Sequence, residues 1–354
     1  MKILHVITSL LTGGAEKLMV DLLPELRRLG NDVELLIFNG EQTPFYKQLE
    51  QKGIKIHHLQ ITGNVYNPLN IFRMMKFPKR YDIIHTHNTA CQLFTPIAKI
   101  LSCSKTKLIT TEHSSNNRRR ESILLKPIDK WMYNRYKKII CISDQTEANL
   151  KGYIGNRGNI KTIYNGVNTS KFINPITPII DFNHIQITMV AGFRVGKDQD
   201  TLIRAIKLLP ENYKLQLVGD GIRRPEIENL INELSLNDRV SLLGVRNDIP
   251  QILANSDVIV LSSHWEGLSL SNIEGMASGK PFIASDVDGL REIVKGNGIL
   301  FPDNDDKALA NAIETVCNDN EKYISVAKQC QEKAKQYDIS IMAEKYNNLY
   351  QSLK

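Results

Sequence analysis

Residues 257–286 read DVIVLSSHWEGLSLSNIEGMASGKPFIASD, a strand, loop, helix, turn and strand in succession. Val258 to Leu261 is a short, wholly apolar run of the kind a strand buried in a parallel sheet requires. Gly279 ends the helix, and Pro281 to Ala284 open the next strand. The loop from Ser262 to Ser271 therefore leaves the carboxyl end of a strand and enters the amino end of a helix. There the backbone N–H groups lack partners and the helix dipole favours an anion, so a phosphate is the natural guest. Gly267 lets the backbone approach it closely. Glu266 and Glu274 bracket the loop with seven residues between them. Like charge keeps both off a phosphate, which leaves each to accept hydrogen bonds from hydroxyls on either side of one.

Ser271 and Glu274 also have the spacing of a capping box, in which Glu274 would only reach back to the Ser271 backbone. Against that alternative, the stretch resembles the nucleotide-sugar site of family 4 glycosyltransferases. Their signature is a Glu, seven residues and a second Glu, with a glycine and an apolar residue after the first; here these are Glu266, Gly267, Leu268 and Glu274. The resemblance implies an α/β chain of GT-B fold, with two facing Rossmann-like domains, parallel sheets and a cleft between them. It also implies that Glu266 accepts from sugar hydroxyls, Glu274 from ribose hydroxyls, and that the N–H groups of Leu268 and Ser269 meet the distal phosphate. Backbone near Val245 and Arg246 would hold the base. A diphosphate leaving group gains charge as its bond to the sugar breaks and needs fixed positive groups, a role that falls to Lys197 and the helix terminus. The family pattern has an Arg five residues before this Lys; Gly192 stands there, and Arg194 lies two residues on.

Length and composition fit this scheme. At 354 residues with 42% hydrophobic and 23% charged residues, the chain has the balance of a soluble globular protein with two cores. No apolar run approaches a membrane span, and His5 interrupts the short apolar start, which argues against a signal peptide. Five scattered cysteines without a CxxC pair indicate neither a disulfide framework nor a zinc site, as suits a reducing cytoplasm.

The pattern of strand and helix recurs along both halves. In residues 1–172, strands are expected at Lys2–Ile7, Asp32–Phe38, Ile54–Leu59, Asp82–His87, Lys107–Thr111 and Ile139–Ile142, with Ser143 capping the helix that follows. Gly13 and Gly14 open a helix running from about Ala15 to Leu29 without the full dinucleotide spacing. By the resemblance, Gly14 lies beside the donor diphosphate and acceptor, and His113 touches the donor sugar. His85 and His87 alternate along a strand and point to one side, but no third metal ligand is spaced nearby. Residues 173–184 read as a linker, and 185–338 as a nucleotide-sugar-binding domain with strands at Ile185–Ala191, Lys214–Val218, Val240–Leu243, Val258–Leu261 and Phe282–Ala284. The final segment, 339–354, is helical in pattern and in the resembled fold packs back on the first domain. Asp286 and Asp288 mimic a metal-binding DxD, yet they match a turn that carries no metal in this family.

Charge divides the chain. Residues 1–172 hold 26 Lys and Arg against 13 Asp and Glu, and residues 173–354 hold 19 against 25. The basic half concentrates its charge in Arg118, Arg119 and Arg120 and in Lys126, Lys130, Arg135, Lys137 and Lys138, interleaved with apolar residues and broken by Pro127. This is the pattern of a segment lying on an anionic membrane, or of a solvated helix whose apolar face is in the core. No nucleic-acid motif accompanies it. The expectation is a cytoplasmic enzyme, peripheral on the inner face of the membrane. It would transfer a sugar with retention from a UDP-sugar to a glycan or lipid-linked acceptor in surface polysaccharide biosynthesis, such as capsule or lipopolysaccharide, without metal or other cofactor. A sugar-nucleotide epimerase or a non-catalytic binder could share the fold. A glycoside hydrolase would need its two carboxylates to flank one bond, which the phosphate-friendly helix start disfavours.

Overall fold

The computed structural model describes residues 1–11, 13–113, 122–179 and 181–354. They form two compact units, Met1–Gly166 with Ile339–Lys354, and Val167–Asp338.

The first unit holds seven parallel strands: β1 (Lys2–Ile7), β2 (Asp32–Asn39), β3 (Lys55–Gln60), β4 (Ile83–His87), β5 (Lys107–Glu112), β6 (Lys138–Cys141) and β7 (Ile160–Thr162). Their order is β3-β2-β1-β4-β5-β6-β7, with β1 bonded to both β2 and β4. Chain winding reverses between β1 and β4, the place where open α/β sheets bind ligands. Alternation along the strands sends Ile3, Ile7, Ile83 and Ile109 to one core and Leu4, Val6, Ile84 and Leu108 to the other. The C-terminal helix Ile339–Gln351 closes the first of these cores with Met342, Tyr346 and Tyr350 and packs on the helix Gly14–Arg28.

The second unit holds six parallel strands: β8 (Ile185–Val190), β9 (Tyr213–Val218), β10 (Val240–Gly244), β11 (Val258–Leu261), β12 (Phe282–Ser285) and β13 (Ile299–Phe301). Their order is β10-β9-β8-β11-β12-β13, so the reversal falls between β8 and β11. The expected domain limit at 172 moves to 166, because residues 167–174 are fastened to the second unit. Val167 N–H donates to Tyr337 O (2.9 Å), Thr169 Oγ1 donates to Asp338 Oδ2 (2.5 Å), and Gln331 Nε2 donates to Asn174 O (3.0 Å).

Among the described residues no helix is long and apolar enough to cross a membrane. Arg118, Arg119 and Arg120 lie outside the described residues. Beyond them the basic segment forms a short turn, Ile123–Leu125, and the helix Lys126–Tyr133, after which Arg135 and Lys137 lead into Lys138 at the start of β6. Pro127 sits in the first turn of that helix and so starts it instead of breaking it. Met132 and Tyr133 enter the core, whereas Leu124, Leu125 and Ile128 are exposed beside Lys126 and Lys130.

Candidate active site

In the second unit every candidate follows the carboxyl end of a strand. Arg194 and Lys197 follow β8, Val245 and Arg246 follow β10, and Glu266 to Glu274 follow β11. Because all six strands are parallel, these loops crowd one edge of one sheet, and the two nearest the reversal come together there. A single antiparallel bridge joins Lys197 to Ser263, and Asp198 N–H donates to Ser262 O (3.1 Å). The Lys197 ammonium forms an ion pair with Glu266 Oε1, and Ser263 Oγ donates to the same oxygen (2.9 Å). Burial and then the Arg194 guanidinium push Lys197 down to about 7.

Glu266 is supported from below by the turn at Asp286–Gly289. Gly289 has φ +84°, and a Cβ there would stand 2.4 Å from Glu266 O and 2.3 Å from Gly267 O, so only glycine lets the turn pack under the loop. The carboxylates of Asp286 and Asp288 both accept from Arg291, at 2.5 and 3.1 Å. Their work in this structure is to hold that turn.

The helix after Glu266 runs from Leu270 to Ala277 with Ser269 as its N-cap and no side-chain cap hydrogen bond. Ser271 is thus inside the helix, which rules out the capping box. Glu274 is the fifth helical residue, past the first turn where the sequence pattern put it, and is buried. Gly279, at φ +78°, ends the segment.

Arg194 is exposed, with its Nε 3.6 Å and its Cζ 4.0 Å from where a Cβ on Gly192 would stand. Its guanidinium therefore lies in ordinary van der Waals contact with the place a Cβ at 192 would take. Val245 and Arg246 line an open pocket with Asn247, Asp248 and Gln251. The Arg246 guanidinium is bound to Asp248 through two bonds of 2.8 and 2.6 Å, so this side chain already has a partner.

In the first unit, Gly14 is exposed at the start of its helix, where a Cβ would meet nothing within 4 Å. His113 directly follows β5 and is partly buried. It terminates a set of polar side chains that was only half visible in the sequence. Register places His5 on β1 opposite His85 on β4, and His87 opposite Thr111 on β5, all on one face of the sheet. His5 Nδ1 lies 3.0 Å from His87 Nε2, and His87 Nδ1 lies 2.8 Å from His113 Nε2. Burial lowers all four imidazoles, His5 to about 3, His113 to about 4, and His85 and His87 well below the ordinary value.

Among the described residues, two groups of side chains place metal-ligating atoms within 4.8 Å of one another: His5, His85 and His87, and Asp198, His264 and Asp303. His5 is the third imidazole that the spacing of His85 and His87 did not reveal. Its ring nitrogens and theirs already serve hydrogen bonds within the protein.

Comparison with known proteins adds three findings. The family model described as Glycosyltransferase Family 4 matches residues 12–171, and that described as Glycosyl transferases group 1 matches residues 179–337. An Escherichia coli UDP-Gal:alpha-D-GlcNAc-diphosphoundecaprenol alpha-1,3-galactosyltransferase is 28% identical, over 83% of this chain and 81% of the relative. A Campylobacter jejuni transferase that adds N-acetylgalactosamine to a diphospho-undecaprenol-linked acceptor is 23% identical over 94% of each chain. Among solved structures, Anabaena HepE in complex with UDP-glucose has a TM-score of 0.86 at 24% identity, covering 99% of each chain. This likeness gives the chain the GT-B fold.

Proposed function

This chain belongs to the family 4 glycosyltransferases, and from that premise we propose that it moves a hexose or N-acetylhexosamine from a UDP-sugar to a lipid-linked acceptor, with retention and without metal, in surface polysaccharide biosynthesis. The observation that carries this reading is the paired Lys197 and Glu266 at the reversal of the second sheet, beside the amino end of the helix Leu270–Ala277. An ion pair so placed holds one positive and one negative group ready for a diphosphate and a sugar respectively. When the donor enters, the ammonium turns to the leaving phosphate, and Glu266 accepts from sugar hydroxyls. Glu274 takes the ribose hydroxyls, and the N–H groups of Gly267, Leu268 and Ser269 meet the distal phosphate. Arg194 supplies the positive charge that Gly192 lacks, and backbone at Val245 and Arg246 holds the base. Gly14 and His113 of the first unit serve the diphosphate and the sugar. Orientation and fixed charge then carry catalysis with little acid–base work.

The acceptor class is inferred from two sources. The relatives named above act on undecaprenyl-diphosphate-linked sugars, and the first unit presents exposed Leu124, Leu125 and Ile128 among lysines. Such a surface suits peripheral contact with an anionic membrane at its cytoplasmic face.

The test is a thermal-shift screen of UDP-, GDP-, ADP- and dTDP-sugars, followed by nucleotide release with and without lipid-linked acceptor. The reading expects a UDP-sugar to stabilise by about 2.7 kcal/mol at one hundred times its Kd, and UDP release to require acceptor. Release without acceptor indicates a hydrolase, and a changed sugar without acceptor indicates an epimerase.

A further inference from the structure

The four imidazoles of the first unit belong to one unbroken line of hydrogen bonds, and its far end sets its direction. From the C-terminal helix, the Tyr346 hydroxyl meets Thr111 Oγ1 at 3.0 Å, and Thr111 Oγ1 meets His85 Nε2 at 2.7 Å. His85 Nδ1 meets the Tyr350 hydroxyl at 2.7 Å, and that hydroxyl meets His5 Nε2 at 3.3 Å. His5 then leads through His87 to His113. Every group before His113 is buried.

A neutral imidazole has one N–H donor and one bare nitrogen, and a hydroxyl has one proton to give. With each member used on both sides, the orientation of any one proton dictates all the rest. The Tyr346 hydroxyl is the exception: among the described residues its hydrogen bond is the one to Thr111. If Thr111 donated to it, the phenolic proton would be buried without an acceptor, and a stranded buried donor costs more than a made hydrogen bond returns. Tyr346 therefore donates. Thr111 must then donate to His85 Nε2, His85 Nδ1–H to Tyr350, Tyr350 to His5 Nε2, His5 Nδ1–H to His87 Nε2, and His87 Nδ1–H to His113 Nε2. Burial, which keeps these rings neutral, removes the protonated forms that would break the line.

We propose that this line acts as a positioning device that locks His113 in the tautomer with its proton on Nδ1, so that His113 presents a fixed N–H donor to an oxygen of the substrate. The proposal rests on the functional reading above in one respect: the oxygen is assigned to the transferred sugar. Tyr346, Thr111, His85, Tyr350, His5 and His87 are positioning residues, and none of them needs to touch substrate.

The test uses full-length protein labelled with 15N in its histidine rings. In wild type, the coupling pattern of His113 should show the proton on Nδ1. Tyr346→Phe removes the donor that sets the direction, so the form protonated on Nε2 should become populated at His113, and kcat should fall about two- to tenfold while KM for the nucleotide sugar holds. Thr111→Ser keeps the hydroxyl and should restore wild-type spectra and rate, whereas Thr111→Val should behave as Tyr346→Phe does. A wild-type His113 protonated on Nε2, or a tautomer unmoved by Tyr346→Phe in a folded variant, overturns the proposal. Because the spectrum needs no substrate, the two readings fail separately. Wild type with the Nδ1 proton but no sugar transfer sinks the functional reading alone, and active wild type with the Nε2 proton sinks this one alone.

Discussion

Lys197 and Glu266 share an ion pair across 69 residues of sequence, because β8 and β11 are neighbours and their loops leave the same edge of the sheet. Removing either partner leaves a charge in a site where each side chain is only about one-tenth exposed, 11% for Lys197 and 10% for Glu266. Lys197→Ala and Glu266→Ala should each lower kcat/KM at least roughly tenfold, since a hydrogen bond to a charged group contributes about 1.5–3 kcal/mol. Steady-state kinetics on variants with unchanged circular dichroism is the check. Wild-type turnover in either variant contradicts the assignment.

Glu274→Gln should raise KM for the nucleotide sugar with kcat less affected, because the ribose is held equally in ground and transition states. The same change would be nearly silent if the residue only filled space in the helix Leu270–Ala277. Nucleotide-sugar titration separates the two results.

Arg194→Ala should weaken inhibition by UDP more than inhibition by uridine, because its guanidinium is assigned to the diphosphate and lies beside the position a Cβ at Gly192 would take. Equal inhibition constants before and after substitution would make Arg194 a surface residue.

Stability should depend on pH through the buried histidines. In the unfolded chain an imidazole titrates near 6.5, whereas in the fold His5 is lowered to about 3 and His85 and His87 well below 6.5. Below pH 6.5 the unfolded chain takes up protons that the folded chain refuses. The contribution of these groups is therefore fully present above 6.5 and is lost as pH falls toward the folded values. Each buried ring weakens the fold by at most about 1.4 kcal/mol per pH unit in that window. Tm at pH 7.5, 6.5 and 5.5 in constant salt should hold across the first step and drop across the second. A Tm that stays level to pH 5.5 would show that the rings are charged in the folded state.

Membrane attachment should need both charge and apolar contact. Binding to anionic vesicles should fall at high salt, since each engaged Lys or Arg contributes about 1 kcal/mol that salt screens. It should also fall when exposed Leu124 and Ile128 become Ser. Sedimentation that ignores anionic lipid at low salt would make this face a solvated surface.

How far the sequence could be read depended on locality. The apolar runs Val258–Leu261 and Lys2–Ile7 and the turn at Gly279 gave strands and a helix end directly, because each signal lies within a few residues. The three-residue strands Ile160–Thr162 and Ile299–Phe301 are too short for any period to register, and they were not expected. Helices Arg224–Glu233, Asp306–Cys317 and Asn320–Lys335 are also absent from the sequence expectation, since none of them carries a motif residue. Ser271 and Glu274 fitted two local patterns equally, and only the observed helix start at Leu270 separates them. His5 shows the opposite limit. Nothing near it in sequence marks it as a polar partner, because its neighbours His85 and His87 arrive through strand order and not through spacing.

The most direct test is transfer itself. Purified protein in EDTA would be mixed with UDP-sugars labelled at the anomeric carbon and with a diphosphoundecaprenol-linked sugar, and the lipid fraction examined by NMR. The account predicts label in the lipid fraction in the donor's α configuration, with one UDP released per sugar transferred. Label remaining in the aqueous phase, a β-linked product, or a strict need for added divalent metal would contradict it.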